Sequence, residues 1–162
     1  MDTNGQTAFD TGTLLPHALL RRAGDGTQID VRRSRGPHVL LLMHSASCVQ
    51  CLDYLRALLA RGADWADWRA RVSGVVPESS ASALERGDAS IGDSVLIDEA
   101  RKLADGTARV IAADEWGEIH CSIEVGSEHT FPPIQDMVEW ARYIAIQCPE
   151  CEGPEGEWRG PL

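Results

Sequence analysis

Five consecutive large apolar residues, Val39-Leu40-Leu41-Leu42-Met43, run into Cys48-Val49-Gln50-Cys51 across four intervening positions. A continuous apolar run, as opposed to an alternating one, is expected of a strand buried on both faces at the centre of a sheet. Directly after it, Val49, Leu52, Leu55, Leu58 and Leu59 fall on one helical face. That spacing predicts a helix starting at Cys48, with Gly62 as its C-terminal cap. Val72-Ser73-Gly74-Val75-Val76-Pro77 is a second strand candidate, placed where a crossover helix would deliver a parallel neighbour. A buried strand that feeds a helix and then a parallel strand restricts the chain to an α/β layer architecture.

The remaining segments fit around this unit. Residues 1–13 are polar and read as a loose lead-in, 14–147 as the domain, and 148–162 as an irregular tail. Leu14 to Leu20 and Thr27 to Val31, joined through Asp25-Gly26, predict an N-terminal hairpin. Trp65 and Trp68 lie three apart and are expected to cover a short helix. Ser79 to Asp93 is polar, with a brief helical signal at Ala83 to Arg86. Ser94 to Ile97 is brief and apolar, and Asp98 to Leu103 reads as a short helix. Arg109–Ala113, the turn Asp114-Glu115-Trp116-Gly117 and Ile119–Val125 predict an antiparallel hairpin. After Phe131-Pro132-Pro133, a helix carries Met137, Trp140, Ala141 and Ile144 on one stripe. The sum is a central mixed sheet flanked by helices, with an N-terminal β-hairpin extension.

Composition narrows the function classes. At 162 residues and 43% hydrophobic, the chain fits one domain with a core that needs no staple. The formal charge is −10, and only five of the 25 acidic residues precede Gly62. Nucleic acid is not an expected partner of so acidic a chain, because phosphate binding rests on clustered Lys and Arg. Arg21, Arg22, Arg32, Arg33 and Arg35 do cluster in sequence, and read first as a solvated surface. No segment approaches the length of a membrane span, and no secretory segment is visible, so a cytoplasmic location is expected.

The five cysteines carry the chemical signal. Cys48 follows a strand and opens a helix, where unpaired backbone amides and the helix dipole favour thiolate over thiol. Cys51 lies one turn on, near enough to close a small disulfide ring. His44, four residues upstream, adds positive character when protonated. Cys148-Pro149-Glu150-Cys151 is a second pair of the same spacing, on the tail. It reads as an auxiliary redox pair or tail-closing disulfide, as half of a zinc site, or as inert thiols. Cys121 alternates with Ile119 and Ile123 and reads as a core thiol. His17, His38, His120 and His129 show no metal-ligand spacing, and no metal site is predicted outside the Cys148 and Cys151 alternative.

Val-Leu-Leu-Leu-Met-His-Ser-Ala-Ser-Cys-Val-Gln-Cys resembles the strand and active-site turn of the thioredoxin superfamily. The layout from Leu14 to Gln147 resembles its redoxin branch, the AhpC/TSA peroxiredoxins and TlpA-like thiol–disulfide proteins. Arg35-Gly36-Pro37, Asp98-Glu99-Ala100-Arg101-Lys102-Leu103 and the Asp-Glu-Trp-Gly turn add to the likeness. The resemblance implies a thioredoxin-like fold, Cys48 as nucleophile and Cys51 as resolving thiol. Three departures stand out. Gly106-Thr107-Ala108-Arg109 lacks the proline that thioredoxins and TlpA-like proteins place before the penultimate strand. Leu41 and Ser45 stand where peroxiredoxins have Pro and Thr, so Ser45 keeps only the hydroxyl. Arg109 is one position away from the peroxiredoxin arginine.

Three functions follow as expectations. The first is a thiol–disulfide oxidoreductase with no cofactor beyond its own dithiol. It would act on a disulfide-containing protein or small molecule and be restored by an external thiol reductant. The second is an atypical two-cysteine peroxidase acting on a hydroperoxide, with Ser45 assisting. The third is a non-enzymatic zinc-binding or interaction module on the same fold. A homodimer is compatible with each.

Overall fold

The computed structural model describes residues 9–77 and 91–147. The helical signal at 83–86 and the pair Cys148 and Cys151 lie outside the described residues. The elements in chain order are β1 (Leu19–Arg22), β2 (Gln28–Asp30), β3 (His38–Leu42), α1 (Val49–Leu59) and α2 (Gly62–Asp67). After them come β4 (Arg71–Pro77), a 3-10 turn (Gly92–Ser94), β5 (Val95–Asp98), β6 (Arg109–Ala113), β7 (Ile119–Glu124) and α3 (Ile134–Ile146).

Seven strands form one mixed sheet in the order β2-β1-β5-β4-β3-β6-β7. All five residues of β3 are buried, as its unbroken apolar run predicts. It pairs in parallel with β4 and antiparallel with β6. Its side chains split by parity. Val39 and Leu41 join a cluster with Leu55 and Leu58 of α1, Trp65 of α2 and Met137 and Ala141 of α3. Leu40 and Leu42 join a second cluster with Phe9, Leu15, Leu20, Leu103 and Ile111. Among the described residues all three helices pack on the first face. The N-terminal segment and the loop after β5 cover the second.

Phe9 is buried, and the Gly12 N–H donates to the Ile119 carbonyl at 2.8 Å, so residues 9–13 dock along β7. The N-terminal hairpin forms as expected and adds to the sheet through β5.

Three local expectations are corrected. The buried stripe of α1 is Cys51, Tyr54, Leu55 and Leu58, while Val49 is 63% exposed in the first turn. Ala60, not Gly62, caps α1, and Gly62 opens α2. The Trp65 indole donates to the Leu58 carbonyl at 2.6 Å and joins the two helices. Residues 99–104 form turns, not a helix. The buried Asp98 carboxylate accepts the Leu103 and Ala104 amides at 2.6 and 2.9 Å, so the side chain satisfies donors that a helix would need.

Candidate active site

The first face of the sheet ends in the segment that carries the cysteines. Beyond β3 the Met43 amide still bonds to Val75 of β4 at 3.0 Å, which holds the chain in line as far as His44. A tight turn follows, closed by the Cys48 amide donating to the Ser45 carbonyl at 3.3 Å. Cys48 is the N-cap of α1, in extended backbone, and its carbonyl accepts the Leu52 amide. The first turn of α1 holds no acidic residue and no side chain caps it. The positive end of the helix therefore faces the Cys48 sulfur without a competing carboxylate.

Cys48 and Cys51 are both free thiols in different surroundings. Cys48 is partly exposed, and its Sγ lies 3.3 Å from His129 Nε2, 3.9 Å from His44 Nδ1 and 3.8 Å from Gln50 Oε1. Cys51 is fully buried, with its Sγ 3.5 Å from His44 Nδ1. Burial, reinforced by the neighbouring Cys48, pushes the Cys51 thiol up to about 12. One sulfur is open to an incoming group at a helix start, and the other is held neutral behind it. The sulfur and ring nitrogen atoms of His44, Cys48, Cys51 and His129 all lie within 4.8 Å of one another.

His129 reaches the site from the loop between β7 and α3. The sheet topology explains why: β6 is antiparallel to both β3 and β7, so β3 and β7 run in the same direction and end at the same edge. The loop is then clamped to α1. Tyr54, one turn after Cys51, stacks on Phe131 at 4.4 Å and donates its hydroxyl to the Pro132 carbonyl at 2.8 Å. His129 takes a left-handed backbone, with φ of 55°, and its ring meets His44 edge-on at 4.8 Å. Left-handed backbone is uncommon for a residue with a side chain and recurs at functional sites.

Of the residues expected from the sequence, the structure brings Cys48, Cys51 and His44 together. The Ser45 hydroxyl pairs with the Ser47 hydroxyl at 3.2 Å, and the described partners of the Cys48 sulfur do not include it. Arg109 lies on the second face, where it bonds to Ser122 and Glu124 and covers the Phe9 ring. A one-position shift along a strand sends a side chain to the opposite face of the sheet. Arg109 is therefore not available to the Cys48 sulfur. Ala108, in the region where a proline was missing, uses its carbonyl to accept the Val125 amide at 2.9 Å, and no described peptide is cis. Cys121 is buried, with burial raising its thiol, in keeping with a core role.

His129 is the residue that sequence reasoning passed over. It is 81 positions from Cys48, and no motif links the two. The available signal was its place in the loop that follows a strand parallel to the one ahead of Cys48.

No family model matches the chain, and no curated protein matches it. Solved structures do resemble it. A thiol:disulfide interchange protein from Bacteroides sp. is 13% identical with a TM-score of 0.60, covering 93% of this chain and 100% of its own. The thiol peroxidase from Chromobacterium violaceum is 15% identical with a TM-score of 0.58, covering 83% and 86%. The reduced 2-Cys peroxiredoxin of Plasmodium vivax is 12% identical with a TM-score of 0.59, covering 79% and 78%. Likeness at these identities establishes architecture, and with the mixed sheet and one-sided helices it shows that the chain has the thioredoxin-like fold.

Proposed function

We propose that the chain is a thiol–disulfide oxidoreductase working through Cys48 and Cys51. One observation carries the reading: a partly exposed Cys48 sulfur at the start of α1, with a buried Cys51 sulfur within 4.8 Å of it and imidazoles beside both. The Cys48 thiolate attacks one sulfur of a substrate disulfide, forming a mixed disulfide and releasing the other half as a thiolate that takes up a proton. Cys51 then gives its proton to His44 Nδ1 and attacks Cys48 Sγ. The mixed bond breaks, the second substrate thiol leaves, and a Cys48–Cys51 disulfide remains. Two electrons pass from the dithiol to the substrate, and an external thiol reductant returns them. His129, 3.3 Å from Cys48, favours the thiolate when it is protonated.

The solved structures that share the fold include proteins described as a thiol:disulfide interchange protein and as a thiol peroxidase. The interchange reading ranks first because the two features that would have supported peroxide chemistry lie elsewhere, Arg109 on the far face and Ser45 on Ser47. The test is trapping. Incubated with a small aromatic disulfide, Cys51→Ser accumulates a mixed disulfide at Cys48, while Cys48→Ser accumulates none. The intact pair turns over with an external dithiol. Absence of turnover in the intact protein, or equal trapping in both variants, would reject the reading.

A further inference from the structure

Dithiol exchange needs two sulfurs and one base. The site holds a second imidazole, which exchange uses only beside Cys48, and the closure of all four groups on one another points to a further use. His44 Nδ1, Cys48 Sγ, Cys51 Sγ and His129 Nε2 each offer one lone-pair atom, all within 4.8 Å of one another. In a tetrahedral zinc site, with Zn–S of about 2.3 Å and Zn–N of about 2.0–2.1 Å, adjacent N and S donors stand about 3.5–3.6 Å apart. Three of the N···S separations here are 3.3 Å for His129 to Cys48, 3.5 Å for His44 to Cys51 and 3.9 Å for His44 to Cys48. Two thiol–imidazole hydrogen bonds would account for two of these contacts. A shared central ion accounts for the third as well, and for the closure of the whole set.

We propose that His44, Cys48, Cys51 and His129 form a Cys2His2 site for a thiophilic d10 cation, Zn²⁺. The donor set is two thiols and two imidazoles with no carboxylate, which suits zinc and not calcium or magnesium. Cys51 anchors the inner side of the site, while His44, Cys48 and His129 are partly exposed and leave a path for the ion. The scaffold is held independently of any ion, because Tyr54 clamps Phe131 and Pro132 and so sets the position of His129. The proposal stands on donor geometry and does not depend on the exchange reading. The other zinc alternative, Cys148 and Cys151, lies outside the described residues, and the tail double variant below separates the two.

The test titrates the full reduced chain, purified without chelator, with Zn²⁺ against a chromophoric chelator, and separately with Co²⁺ read by its visible spectrum. One ion per chain and a tetrahedral cobalt spectrum with thiolate charge transfer are expected. His129→Gly removes the imidazole and suits the positive φ at that position, so the loop keeps its shape. It and Cys48→Ser are each expected to weaken binding beyond the roughly 10–100-fold typical of losing an outer-shell partner. The Cys148→Ser/Cys151→Ser double variant is expected to keep full stoichiometry. Near-UV circular dichroism shows that each variant is folded. A sub-stoichiometric ion, an octahedral cobalt spectrum, unchanged affinity in His129→Gly, or loss of the ion in the tail double variant would overturn the site. If the ion fails to bind while Cys51→Ser still traps a mixed disulfide, the metal site alone falls.

Discussion

Lowering the pH from 7 to 5 is predicted to destabilise the fold through His38, the first residue of β3. His38 is 1% exposed, and its Nε2 lies 3.0 Å from Ser73 Oγ across the β3–β4 pair. Burial, followed by the Arg71 guanidinium, lowers its pKa from 6.5 to about 3. The Val31 backbone pulls weakly the other way, but Nδ1 lacks hydrogen-bond geometry to any partner. Between 6.5 and about 3 the unfolded chain carries a proton on His38 that the folded chain does not. Stability therefore rises with pH across that window, is fully present above it, and is lost as the pH falls into it. Integrating the linkage relation gives a loss of about 2 kcal/mol at pH 5, and about 4–5 kcal/mol by pH 3. Against a total of about 5–15 kcal/mol for a domain, either loss is readily measured.

The assay is urea unfolding followed by tryptophan fluorescence, at pH 7 and pH 5, for the natural chain and His38→Gln. Glutamine keeps a polar partner for Ser73 and cannot charge. Carboxylates titrate alike in both proteins, so the difference between their pH effects isolates His38. The natural chain should lose about 2 kcal/mol more than His38→Gln on going to pH 5. Equal losses in the two proteins would refute the reasoning, because they would mean that His38 accepts a proton in the folded state.

Three further outcomes are expected. A Cβ at Gly74 would stand 2.9 Å from Leu55 Cδ2 and 3.2 Å from Met43 Sδ, so Gly74→Ala should overpack the layer under α1 and displace these two side-chain ends. The expected cost is about 1–3 kcal/mol, read as a fall in the urea midpoint. Brief labelling with iodoacetamide at pH 7 should modify Cys48 before Cys51, because Cys51 is buried with its thiol at about 12; fragment-ion mapping of the peptide that holds both residues checks the order. Arg109→Leu should leave oxidation of Cys48 by hydrogen peroxide unchanged in stopped-flow traces, since Arg109 sits on the face away from α1. A marked slowing would return the peroxide reading to first place.

Much of the fold was legible along the chain because its signals are local. The run from Val39 to Met43 was recognisable as a doubly buried strand, and the Cys48 helix start followed from the leucine spacing behind it. Local reasoning failed where a distant group supplied the missing partner. Asp98 to Leu103 has the composition of a short helix, but the Asp98 carboxylate captures the amides of Leu103 and Ala104 once it is buried. Val49 shares a face with Leu52 on a helical wheel, yet the sheet covers only the side carrying Cys51, Tyr54, Leu55 and Leu58.

The site divides in the same way. Sequence alone determined the pair Cys48 and Cys51, its place at a helix start, and His44 beside it, since all three lie within eight consecutive residues and depend on backbone periodicity. Only the tertiary structure decided which other side chains share that space. His129 enters because β3 and β7 run parallel and end at one edge, and because Tyr54 clamps its loop. Arg109 is excluded because a strand alternates its faces, and its register turns it toward Phe9. Periodicity is written in neighbouring residues, whereas the meeting of residues 81 positions apart depends on strand direction and register, which exist only once the sheet has formed.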